Sequence, residues 1–243
     1  MNINKQLQEL YASKWEPLCK ALDENGLTGY EYNPLLLRVD DPEDFAGADI
    51  RVMIFGQDMS SGNWYEYDRH APLEICMDSI KTFDNALGAV ENGKRQSKGM
   101  GGGMNQFIKM FNHRNEGKKV RYVWNDIAKM GRELMGNDKR EILSRIENEY
   151  FPVIKDEINI IKPDIILFFT GNEPYWESRL QHSLGIDSNS YKPVAQWNIS
   201  HIAQVELPCT TYPSVKYAFR TYHPCYFKGR GERYEAIINE IKL

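Results

Sequence analysis

Four short apolar runs punctuate the chain, and each ends in polar residues: "RVMIFG" before Gln57 and Asp58, "VRYVWNDIA" at 120–128, "PDIILFFTG" at 163–171 and "VKYAFRTYHP" at 215–224. "RVMIFG" lacks a period-two alternation, which predicts a strand covered on both faces, and the other three are read as strands of the same kind. Between the runs the apolar positions recur at spacings of three and four. Leu7, Leu10, Tyr11, Trp15, Leu18 and Leu22 predict an N-terminal helix. Ile142, Leu143, Ile146, Tyr150, Ile154 and Ile158 form a second helical stripe, which Pro152 kinks or restarts. "MNQFIKMFN" reads as a helix, "EPYWESRLQHSLG" as a short helix closed by Gly185, and Tyr234, Ile237, Ile238 and Ile241 as a C-terminal helix.

Strands that alternate with helices predict an α/β fold with a parallel sheet and helices on both faces. In such sheets the ligand crevice lies beyond the carboxyl ends of the strands. The polar strings "GQD", "WND", "TGNEP" and "TYHP" would all meet there, with Asp58 at the rim. The segment "YNPLLLRVDDPEDFAGADI" reads as an extended lead-in with an acidic turn. "ENGKRQSKGMGGG", residues 91–103, reads as a mobile loop carrying Lys94, Arg95 and Lys98, either solvated or in contact with phosphate. Its glycines match neither a P-loop nor a dinucleotide fingerprint, because no apolar strand leads directly into them.

The 243 residues are enough for one sizeable core. With 42% apolar and 26% charged residues the composition is that of an ordinary globular chain. A net charge of −4 argues against indiscriminate binding to nucleic acid but leaves room for a local basic groove. No apolar stretch approaches the roughly 18 residues that cross a membrane. "MNINKQLQELYASKW" has no signal-peptide core, so a cytoplasmic protein is expected. Cys19, Cys76, Cys209 and Cys225 lack a Cys-x-x-Cys spacing and read as free, mostly buried thiols. His70, His113, His182 and His201 match no metal-ligand spacing.

Taken in order, "IFGQD", "VWND", "IILFFTG" and "YHPCYFKGRG" resemble the strand-end motifs of the uracil-DNA glycosylase superfamily over about residues 34–243. The family-one pattern runs Gly-Gln-Asp-Pro-Tyr-His, an apolar strand ending in Asn, a strand ending in Trp-Gly, and His-Pro-Ser-Pro-Leu with Arg-Gly shortly after. Here the corresponding strings are Gly56-Gln57-Asp58-Met59-Ser60, Asn125, Thr170-Gly171, and His223-Pro224-Cys225-Tyr226-Phe227 followed by Arg230-Gly231. The Pro-Tyr after the Asp is replaced by Met59-Ser60, which removes the family's wall against the thymine methyl; Tyr65 or Tyr67 is a candidate substitute. The residue that stacks on the base has no clear match, and Ile75 and Met77 are the nearest positions.

The resemblance implies a three-layer α/β/α sandwich with a four-stranded parallel sheet. It also implies a single domain, residues 1–243, with an N-terminal helical extension of about residues 1–30. It implies a hydrolase that cleaves the N-glycosidic bond of uracil or a related damaged base flipped out of DNA, without metal or cofactor. Asp58 would position the attacking water and favour the cationic sugar; His223 would donate a hydrogen bond to the base. Asn125 would read the Watson–Crick edge and Gln57 would assist through its backbone N–H. Phe227 would fill the gap left by the base, with Lys228 and Arg230 on phosphates. DNA is the expected partner, no membrane is expected, and the chain is expected to be a monomer. Each residue also has a plainer reading: Asp58 as a helix cap, Asn125 or Asp126 likewise, His223 as a turn histidine, Phe227 as core, and Lys228 and Arg230 as solvated charges. The alternatives for the whole chain are a catalytically silent reader of nucleic acid or nucleobase, and a small-molecule hydrolase using the same crevice.

Overall fold

The computed structural model describes residues 2–29, 32–58, 67–79, 100–131 and 137–243. The four apolar runs form β1 (Ile50–Gly56), β2 (Val120–Asp126), β3 (Ile165–Phe168) and β6 (Tyr217–Thr221). Along the chain, two short strands come between β3 and β6: β4 (Tyr191–Pro193) and β5 (Ile202–Val205). The sheet order is β2-β1-β3-β6-β5-β4. Pairing is parallel from β2 through β1 and β3 to β6, then antiparallel for β6 with β5 and β5 with β4. The expected parallel sheet is therefore the larger part of a six-stranded mixed one. The added edge strand is three residues long and ends in Pro193, a residue an edge tolerates because it owes no inward N–H.

Among the described residues the helices are α1 (Ile3–Glu24), α2 (Pro42–Ala46), α3 (Leu73–Asp78), α4 (Met100–Arg114), α5 (Asn137–Tyr150), α6 (Ile154–Ile161), α7 (Pro174–Leu184) and α8 (Arg230–Glu240). Pro152 separates α5 from α6, so the stripe restarts. The "DDPEDFA" turn is the short helix α2, capped by the Asp41 carboxylate, which accepts the Asp44 N–H. Residues 100–103, expected in a loop, are the first turn of α4; residues 91–99 lie outside the described residues.

The crossover from β1 to β2 runs one way along the sheet, and those from β2 to β3 and from β3 to β6 run the other way. Right-handed connection then places α4 on one face and α5, α6 and α7 on the opposite face. The packing agrees: α4 rests on α8, α1 rests on α3, α5 and α6, and α6 rests on α7. Val52 to Phe55 and Ile165 to Phe168 are all fully buried, as strands sandwiched between two helical layers must be. One apolar core includes Leu7, Tyr11, Leu18 and Leu22 of α1 together with Ile237 and Ile238 of α8, so the N-terminal helix is integral to it. Among the described residues, no helix is long and apolar enough to cross a membrane.

The chain leaves β1 and its neighbour β3 toward opposite sides. The carboxyl ends of these two strands are the switch point at which an open α/β sheet forms its crevice.

Candidate active site

Three strand ends meet at this point. Gln57, just after β1, donates its side-chain Nε2 to the Thr170 carbonyl after β3 at 2.8 Å. The Phe169 N–H donates to the Phe55 carbonyl at 2.8 Å, and the Gly171 N–H donates to the Thr221 carbonyl at the end of β6 at 2.9 Å. The ends of β1, β3 and β6 are thus stitched together beyond their ladders. The segment after β2 supports β1 from its other side, through Ile127 N–H to Gly56 O at 3.2 Å and Ala128 N–H to Gln57 O at 2.9 Å. Gly56 is required there: a Cβ would stand 2.4 Å from both the Asp126 carboxylate and the Trp124 ring.

Asp58 and His223, partly buried, emerge from β1 and β6 on this floor. The two interact electrostatically. Burial holds the His223 imidazole below its ordinary value of 6.5, and the Asp58 carboxylate pulls it partly back. His223 Nδ1 accepts the backbone N–H of Cys225 at 3.3 Å. In the neutral ring this assigns the proton to Nε2 and leaves that nitrogen as the donor. A carboxylate near a neutral N–H donor can stabilise positive charge on one fragment and negative charge on the other as a bond breaks.

The loop after His223 is built by two arginines that the apolar pattern does not reveal. Arg230 donates to the Pro224 carbonyl at 2.7 Å and to Gln106 Oε1 at 2.8 Å. Arg233, buried, donates to the Tyr226 carbonyl at 2.9 Å and to the Lys228 carbonyl, with its guanidinium 5.2 Å from the Tyr222 and Tyr226 rings. Phe227 is held at the tip, 74% exposed, beside the exposed Lys228. Phe227 is therefore not core, and the Arg230 guanidinium braces the loop. Gly103 of α4 completes the arrangement: a Cβ would lie 2.3 Å from the Pro224 carbonyl oxygen, so only glycine lets α4 approach the His223–Pro224 turn.

Asn125 goes elsewhere. It is fully buried, its Nδ2 donates to Glu157 Oε2 at 2.8 Å, and its Oδ1 accepts Lys129 Nζ at 2.5 Å and the Asp126 N–H at 2.9 Å. Lys129 and Glu157 form a wholly buried ion pair at 2.8 Å, completed by the Tyr11 hydroxyl donating to Glu157 Oε1 at 2.6 Å. The expected reader of a base edge is instead a member of a closed network linking α1, β2 and α6, because its amide already has protein partners on both sides. The Gln57 side chain likewise acts as a strap to Thr170.

Of the other candidates, Tyr67 is buried, donates to the Pro34 carbonyl at 2.7 Å and stacks on Trp15, so it belongs to the N-terminal packing. Met59, Ser60, Tyr65 and the cations at 94, 95 and 98 lie outside the described residues. Ile75 is 58% exposed and Met77 is buried. Two cysteines depart from the buried expectation: Cys209 and Cys225 are exposed. Burial pushes the Cys19 and Cys76 thiols up to about 11, which makes them poor nucleophiles. The sequence pattern did not reveal the Cys225 N–H, Arg233, Gly103 or the Lys129–Glu157 pair. Only the spacing of Lys129 four residues after Asn125 carried a hint. No protein-family model matches the chain, and no curated protein matches it.

Proposed function

We propose that the chain is a DNA glycosylase-like hydrolase, cleaving the N-glycosidic bond of uracil or a related damaged base flipped out of DNA. The observation that carries this reading is the electrostatic pairing of Asp58 with a neutral His223 whose Nδ1 is already occupied by the Cys225 N–H. Breaking the bond leaves positive charge on the sugar and negative charge on the base. Asp58 holds the attacking water and stabilises the cationic sugar. His223 Nε2–H donates to the base oxygen as charge gathers there. Phe227, presented on its braced loop, fills the stack after the base leaves, and Lys228 meets a phosphate.

Engagement of the Asn125 amide by Glu157 and Lys129 favours a second reading, a member of the same fold that binds nucleobase or nucleic acid without cleaving it. Base release from single- and double-stranded oligonucleotides containing uracil or hypoxanthine separates the two. Release by the wild-type protein, reduced by about two orders of magnitude in both Asp58→Asn and His223→Ala, supports the hydrolase. Binding with no release by the wild-type protein selects the silent reader.

A further inference from the structure

Tyr222 and Tyr226, on either side of His223 in the chain, belong to a row of aromatic rings of which the chemistry above uses Phe227 alone. Trp197 lies 6.1 Å from His201, His201 lies 5.5 Å from Tyr222, and Tyr222 lies 4.6 Å from Tyr226. Phe227 follows at the tip, so His223 sits in the chain between two members of the row. Tyr226 and Phe227 are 45% and 74% exposed, and Ile199, in the turn bearing Trp197 and His201, is 39% exposed.

Both supporting turns are anchored from beneath by buried guanidinium groups. Arg220 of β6 donates to the Ser200 carbonyl at 3.0 Å and to the Ile199 carbonyl at 2.9 Å. Arg233 does the same for the loop of Tyr226 and Lys228 and lies against the faces of Tyr222 and Tyr226. The two turns also meet, since a Cβ at Gly229 would stand 3.8 Å from the Trp197 ring. Ala195, two residues before Trp197, has φ of 48°, a left-handed conformation that an alanine adopts only under constraint. Within residues 222–233, Lys228, Arg230 and Arg233 stand against the single carboxylate of Glu232, although the whole chain carries −4.

We propose that the row from Trp197 to Phe227 is a stacking track for a single strand of nucleic acid, leading its bases past His223. A row of rings that ends in the exposed Tyr226 and Phe227, beside the exposed Lys228, suits successive nucleobases on a phosphate chain, and this combination tolerates any sequence because every base has a π face. The antiparallel extension of the sheet has a purpose in this scheme: β5 and the turn before it carry the outer half of the track. The proposal rests on the nucleic-acid side of the reading above, and it stands or falls separately from cleavage.

The test is binding of undamaged oligothymidylate, about 12 nucleotides long, followed by tryptophan fluorescence and by anisotropy of a labelled strand. Quenching that disappears in Trp197→Phe, with affinity lowered about tenfold in Trp197→Ala and in Tyr226→Ala, the latter at unchanged thermal unfolding, is the expected result. Tyr226→Ala keeps the test open if Trp197→Ala does not fold. Affinity unchanged in both alanine variants overturns the track, as does equally tight binding of inorganic polyphosphate. Self-association of the chain that Phe227→Ala abolishes, without oligothymidylate binding, reassigns the surface to protein contact and overturns it too. Trp197-dependent binding with no base release leaves the track and removes the hydrolase; base release with Trp197-independent binding does the reverse.

Discussion

His223 accepts the backbone N–H of Cys225 on Nδ1 at 3.3 Å, and this contact determines what the imidazole can do. A proton added to the ring would land on Nδ1 and turn that acceptor into a donor facing another donor. Burial acts in the same direction, holding the group below its ordinary 6.5.

Activity is therefore expected to fall on acidification through a midpoint below 6.5, the ordinary imidazole value. The unfolded chain takes up this proton before the folded one does. The contribution of His223 to stability is thus whole above the unfolded value and declines as pH falls toward the folded one. The pH profile of kcat/KM for base release checks this, and an acid limb centred above 6.5 contradicts it.

Phe227, 74% exposed on a loop clamped by Arg230 and Arg233, has no packing role to lose. Phe227→Ala should leave thermal unfolding unchanged and lower kcat/KM for a base in duplex by about tenfold, and by less for a base in a single strand, where less stacking has to be broken and only the tip of the track is lost. Equal losses on both substrates would assign Phe227 to the binding track alone and not to wedging.

The Lys129–Glu157 pair is fully buried; Glu157 also accepts hydrogen bonds from Tyr11 and Asn125, and Lys129 also donates to Asn125. Removing one charge strands the other. Lys129→Met should destabilise the fold by about 3–5 kcal/mol, and Lys129→Met with Glu157→Leu should be less damaging than the sum of the single changes. Urea denaturation of the four proteins measures the coupling; additive losses would show that the pair does not act as a unit.

Gly103→Ala would push a methyl group into the Pro224 carbonyl. A helical alanine is ordinarily favoured over glycine, so a propensity effect alone would stabilise α4. A loss of about 1–3 kcal/mol, with displaced NMR signals from His223, is expected because the turn must move. A stabilised protein with unmoved His223 signals would contradict the close approach.

The parallel strands were readable because each is an unbroken apolar run, and the positions of Asp58 and His223 just past strand ends followed from those runs. β4 and β5 were not, since a three-residue edge strand ending in Pro193 has too few positions to establish a period. Glu157 in "IKDEINII" looks like the wet side of an amphipathic helix. Only the packing of α1 on α6 shows that it faces inward to Lys129 and takes Asn125 with it. The glycines at 101–103 read as a loop because glycine disfavours helix, and the counterweight, the Pro224 turn lying against Gly103, comes from 121 residues farther along the chain (224 less 103).

The shared position of Asp58 and His223 is tested most directly by NMR titration of the imidazole, its signals assigned by their loss in His223→Gln. The wild-type midpoint should lie below 6.5. Because the Asp58 carboxylate pulls the value upward, Asp58→Asn should lower the midpoint further. A midpoint that stays where it was, or rises, when that charge is removed would mean that the acid and the imidazole do not face one another across the crevice.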